Sequence, residues 1–210
     1  MDFVNSIDIF IFRIIFICIM TLQYFNKDQL SVVGDALDIA EDMTSNYFKL
    51  SLLQWKRNRF DIRTLSSLFG EEIKDNVFAL LKKYSSDGKA EIEPLYKRHE
   101  FYLIYLQDHY ILQALQRDAN IKLLPLLAYI LTHELVHIVR FCKFQVRFDT
   151  QEENNRIEEE KIVNHITYEI LQQLSLPNLS YILGAYNPDR MNIDICMNKY
   201  DTWRINNAHL

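Results

Sequence analysis

The chain has 210 residues, 49% of them apolar and 24% charged, with a net charge of −5. A chain of that length buries roughly 70% of its unfolded surface without disulfides, its composition excludes a disordered or fibrous protein, and its acidic balance disfavours nucleic-acid partners, which need a basic footprint. Four glycines and four prolines are too few for the turns of an all-β barrel or sandwich, so an α+β, mainly helical fold is expected.

Residues 3–25 are strongly apolar, but Asp8 and Arg13 interrupt them. The longest uncharged run, Ile14 to Asn26, is shorter than the roughly 20 residues that span a bilayer. The first charges are acidic, whereas a secretory signal begins basic. Residues 1–19 are therefore expected to lie outside the working fold, with Met20 as the natural start and no stable membrane span. The alternative is an interfacial anchor or a poor signal segment through residues 3–25. Cys18, Cys142 and Cys196 are odd in number and far apart. They form neither a disulfide framework nor a Cys-x-x-Cys pair, which fits a cytoplasmic location.

From Asp28 to Trp55, apolar residues recur at three- and four-residue steps, the mark of a helix. The basic cluster Lys56-Arg57-Asn58-Arg59 reads as a solvated helix end. Thr64 to Leu68 reads as a short helix closed by Gly70. Glu71 to Tyr84 reads as another, with acids first and lysines last. Ser85-Ser86-Asp87-Gly88 is a turn. Lys89–Glu93 and His99–Leu112 read as strands of a small sheet. After a loop at 117–120, a helix starts between Ile121 and Leu124, with Pro125 in its first turn, and runs to about Phe144. A polar loop follows at 149–155, then a helix from about Arg156 to Leu174. The expected divisions are 1–19, a helical region 20–85, a metal-binding core 86–176 and a turn-rich extension 177–210.

Residues 133–137 read His-Glu-Leu-Val-His inside the first of those two late helices. At about 100° per residue, His133 and His137 project about 40° apart and can share one metal ion. Glu134 lies to the side, where it can take a proton from a metal-activated water without being a ligand. By chance this pattern arises on the order of once per hundred such sequences. The context strengthens it. Leu124, Leu127, Ala128, Leu131, Leu135, Ile138, Val139 and Cys142 make one side apolar, while Leu126, Tyr129 and Ile130 flank the histidines. A helix apolar all round is buried, and buried polar groups need partners. The plain alternative is a set of core histidines bonded to backbone.

A catalytic zinc takes three protein ligands and keeps a fourth position open. A metzincin third ligand would need Gly at 140 and His at 143, where the chain has Arg140 and Lys143. The third ligand is therefore sought on the next helix, among Glu158, Glu159 and Glu160. Helical geometry sets Glu160 within the mostly apolar arc of Val163, Thr167, Leu171 and Leu174, Glu159 on its border and Glu158 on the opposite side.

The His-Glu-Leu-Val-His motif followed by Glu160-x-x-Val163-Asn164 resembles the gluzincin metallopeptidases. It is similar to the paired active-site helices of compact members of the ImmA/IrrE type, across residues 128–174. Val163, in place of the usual small residue, departs mildly from the pattern. The resemblance implies a zincin-like core, with zinc held by His133, His137 and Glu160 and Glu134 as general base. It also implies that Asn164 accepts a hydrogen bond from a ligand histidine, and that a sheet edge before the zinc helix pairs with an extended peptide. An oxyanion donor is also required. Its candidates are His99, His109, Tyr168, Tyr181, Arg190 and Tyr200, and the sequence does not choose among them. The expected function is zinc-dependent peptide hydrolysis, on a peptide or protein substrate. The alternative is a non-catalytic regulatory or binding module on the same scaffold, and a third reading is a metal-free helical interaction protein.

Overall fold

The computed structural model of the chain describes residues 22–56, 59–85, 100–143, 153–186 and 201–204. The expectations for residues 1–19, the turn at 86–88 and the strand Lys89–Glu93 lie outside them. The fold is α+β and mainly helical.

Helix α1 spans Lys27–Tyr47. Asn26 starts it with a reciprocal cap: its Oδ1 accepts from the Gln29 amide at 2.9 Å, and Gln29 Oε1 accepts from the Asn26 amide at 2.9 Å. Val33, Ala36, Ala40 and Thr44 form its buried stripe. The helix expected to reach Trp55 stops at Tyr47, because Lys49 takes a left-handed φ of 52°. Ser51 then caps a separate single turn, α2 (Leu52–Trp55).

Strand β1 (Arg59–Arg63) follows, where a solvated helix end was expected for the basic cluster. Leu65–Ser67 and Gly70–Glu72 form two short 3₁₀ turns. The latter needs Gly70, whose φ is +52°. The helix expected over Glu71–Tyr84 is absent. In its place the chain turns through Asn76 at φ 62° and enters strand β2 (Ala79–Ser85). The reason lies in burial on two faces. Leu81 joins the main core, while Leu80 joins a smaller cluster with Leu65, Leu68, Leu103 and Tyr105. Adjacent leucines facing opposite cores suit a strand, and pairing in the sheet overrides a charge order that favours a helix.

Strand β3 (Glu100–Leu106) lies between β1 and β2, parallel to the first and antiparallel to the second. A fourth strand, β4 (Asp201–Arg204), pairs parallel with β2, giving the order β1-β3-β2-β4. The strand expected to run to Leu112 ends at Leu106, and helix α3 (Asp108–Arg117) takes over. Asp108 makes that junction. Its Oδ2 accepts from the Phe25 amide and its Oδ1 from the Leu65 amide, both at 3.0 Å, in a buried setting. One carboxylate thus ties the segment before α1 and the first 3₁₀ turn to the start of α3. Asp108→Ala should cost about 2–4 kcal/mol, because two buried amides lose a charged acceptor. Asp108→Asn, which keeps one acceptor oxygen, should cost less. Urea unfolding of the two variants measures the difference.

Helix α4 (Leu123–Cys142) is the central element, with Pro125 in its first turn as expected. It packs against α1, against β2, and against two later helices, α5 (Glu153–Leu171) and α6 (Leu179–Ala185). Helix α4 is long and apolar enough to cross a membrane, but its most apolar window is 89% buried within the protein. Its apolar surface is used in packing. Helix α5 starts three residues before the expected Arg156 and ends at Leu171 rather than Leu174.

Candidate metal centre

The motif His133-Glu134-Leu135-Val136-His137 occupies the third and fourth turns of α4, and all five residues are buried. Glu160 projects from α5, which packs on that face. Three side chains meet there. His133 Nε2 lies 3.1 Å from His137 Nε2 and 3.3 Å from Glu160 Oε2, and His137 Nε2 lies 3.4 Å from Glu160 Oε1. Each imidazole nitrogen thus faces a different oxygen of the Glu160 carboxylate, and one ligand atom from each of the three residues lies within 4.8 Å of the others, so among the described residues His133, His137 and Glu160 form a group that could hold a metal ion.

The electrostatics point the same way. Burial alone would raise the Glu160 carboxyl, but the His137 and His133 rings beside it hold it well below the usual carboxylate range. Burial alone would lower His133, yet the Glu160 carboxylate, with help from Glu134 and Asn164, raises it. Both shifts express the attraction between the Glu160 carboxylate and the two imidazoles it faces.

The surroundings order these ligands. Tyr129, one turn before His133, has its single Oη–H within reach of two acceptors, Asn164 Oδ1 at 3.3 Å and the Tyr186 carbonyl at 3.4 Å. Asn164 thus stands beside His133, with Tyr129 on its Oδ1. His133 Nδ1 has no hydrogen bond of normal length among the described residues. On the far side, Arg140 forms a two-pronged ion pair with Glu159, Nε to Oε1 and Nη2 to Oε2, both at 2.7 Å. Sequence reasoning set Glu159 at the border of the buried arc and gave Arg140 no role. The structure buries Glu159 to 4% exposure. Arg140 sits three residues after His137 on a mostly apolar helix, where a guanidinium requires an acceptor, but which residue supplies it depends on how the two helices meet. Glu158 is exposed, as the arc implied.

The oxyanion candidates are scattered. His109 lies on α3 against the Tyr110 ring, with burial lowering its pKa. Tyr168 is exposed on α5. Tyr181 is exposed on α6 and donates to Asp118. His99, Arg190 and Tyr200 lie outside the described residues. Compared with known proteins, the chain matches no family model, no curated protein and no solved structure.

Proposed function

We propose that the protein is a metalloprotein whose α4–α5 pair binds one divalent ion through His133, His137 and Glu160. More particularly, we read it as a cytoplasmic zinc-dependent peptidase with a zincin-like core of gluzincin type. The observation that carries the reading is the meeting of two imidazole nitrogens and a carboxylate within 4.8 Å of one another, with Glu134 adjacent in sequence and near enough to act on His133. Two histidines and one glutamate are the donors of a catalytic zinc with an open fourth position. Bound there, the metal would lower the pKa of a water and polarise a substrate carbonyl. Glu134 is then the base: its carboxylate takes a proton from the attacking water and delivers it to the departing amine nitrogen. Asn164 and Tyr129 hold the His133 side of the site.

One observation favours the runner-up, a regulatory or binding module on the same scaffold. Glu134 is 3% exposed and His137 fully buried, so a peptide reaches the centre only past the surrounding chain. The test is digestion of an unstructured protein and a mixed peptide library by zinc-loaded protein. Cleavage that stops on chelation and returns with zinc supports the peptidase. Stoichiometric zinc with no cleavage of any substrate favours the module.

A further inference from the structure

Resting on the metal-site reading above, we propose that Glu159, pinned by Arg140, is a positioning residue for the ligand His137. Arg140 follows His137 by three residues on α4, and Glu159 precedes Glu160 on α5. The Arg140 fork takes both carboxylate oxygens of Glu159 at 2.7 Å, which fixes the plane of that group as well as its position. Held in this way, Glu159 Oε1 lies 3.9 Å from His137 Nδ1. A histidine that gives its Nε2 lone pair to a metal carries its ring proton on Nδ1. A carboxylate facing that N–H orients the ring and makes it a better ligand. At 3.9 Å the action is electrostatic rather than a hydrogen bond.

Charge balance supports the assignment. Both partners are nearly buried, at 11% and 4% side-chain exposure, where an unpaired charge is costly. Glu134 and Glu160 together balance a divalent ion, and Glu159 and Arg140 balance each other. With both oxygens in the fork, Glu159 is also kept from competing with its neighbour Glu160 for the metal. A bridge serving only to join α4 to α5 would need no such proximity to the imidazole.

The test compares wild type with Glu159→Gln, Arg140→Gln and the double variant. Zinc affinity is measured by chelator competition, the ligand field by visible absorption of the cobalt(II) form, and stability by melting of the metal-free protein. Each single change should weaken zinc about 10–100-fold and alter the cobalt spectrum. The double variant should be little worse than the worse single, because the pair acts as one unit. Arg140→Lys, which keeps the charge but loses the fork, carries the same expectation if Glu159→Gln does not fold. Unchanged zinc affinity and cobalt spectrum, with only the metal-free melting point lowered, would overturn the proposal and leave a bridge between helices. Wild type that takes up no zinc overturns the proposal together with the metal-site reading, whereas zinc-binding wild type with indifferent variants overturns this proposal alone.

Discussion

On the proposed ligand set, His137→Ala and Glu160→Ala should each abolish tight zinc binding, while Glu158→Ala should preserve it. Structural zinc sites are worth roughly 10–16 kcal/mol over four ligands, so one lost protein ligand should weaken binding by about a hundredfold or more. His137 is fully buried, and its removal also leaves a cavity, so the metal-free variant should melt below metal-free wild type. Glu160 is the more open ligand at 15% side-chain exposure, so its removal leaves less of a cavity. Its metal-free form should still melt below wild type, because the His133 and His137 rings lose the carboxylate they face. Exposed Glu158 should change stability by less than about 0.5 kcal/mol. Elemental analysis and zinc titration of the three variants give the ordering. Sensitivity at Glu158 equal to that at Glu160 would contradict the ligand set.

Glu134→Gln should abolish peptide hydrolysis while keeping the metal. The substitution preserves size and removes the charge, so it leaves His133, His137 and Glu160 in place and takes away only the proton acceptor. General-base catalysis contributes about 10²–10⁴ in rate, and the loss should fall in that range with zinc content unchanged. Paired measurement of turnover and bound zinc is the check. Activity retained at the wild-type level would assign the base elsewhere, and zinc lost along with activity would mean that Glu134 is needed to hold the site.

The clustering of His133, His137 and Glu160 was legible because much of its information is local. His133 and His137 are four residues apart, so one α-helix places them on one face whatever surrounds it. The inward position of Glu160 and the outward one of Glu158 followed from the same periodicity on α5, and the structure agrees. Arg140–Glu159 was not legible as a pair, because it depends on how α4 and α5 meet. Each residue alone reads as an ordinary helix charge. Neither Asp108 nor its two amide partners, Phe25 and Leu65, could be linked from the sequence, since the bonds join segments 83 and 43 residues apart.

The same division separates the helices from the sheet. Helix α4 was determined by its own residues, being long, apolar all round and started by Pro125. The stretch 71–84 carried a helical charge order and apolar spacing, yet Ala79–Ser85 became a strand. Antiparallel pairing with β3 and burial of Leu80 and Leu81 in two different cores outweigh a propensity worth only tenths of a kcal/mol per residue. The turn from β3 into α3 was decided likewise, by Asp108 and the distant amides it binds. Sequence by itself determined what rests on the helical repeat, namely the central helix, the His-Glu-x-x-His face and the inward register of Glu160. Tertiary structure alone decided the strands, the chain reversals and the clamp behind His137, because pairing, two-sided burial and ion pairing are energies between segments remote in the chain.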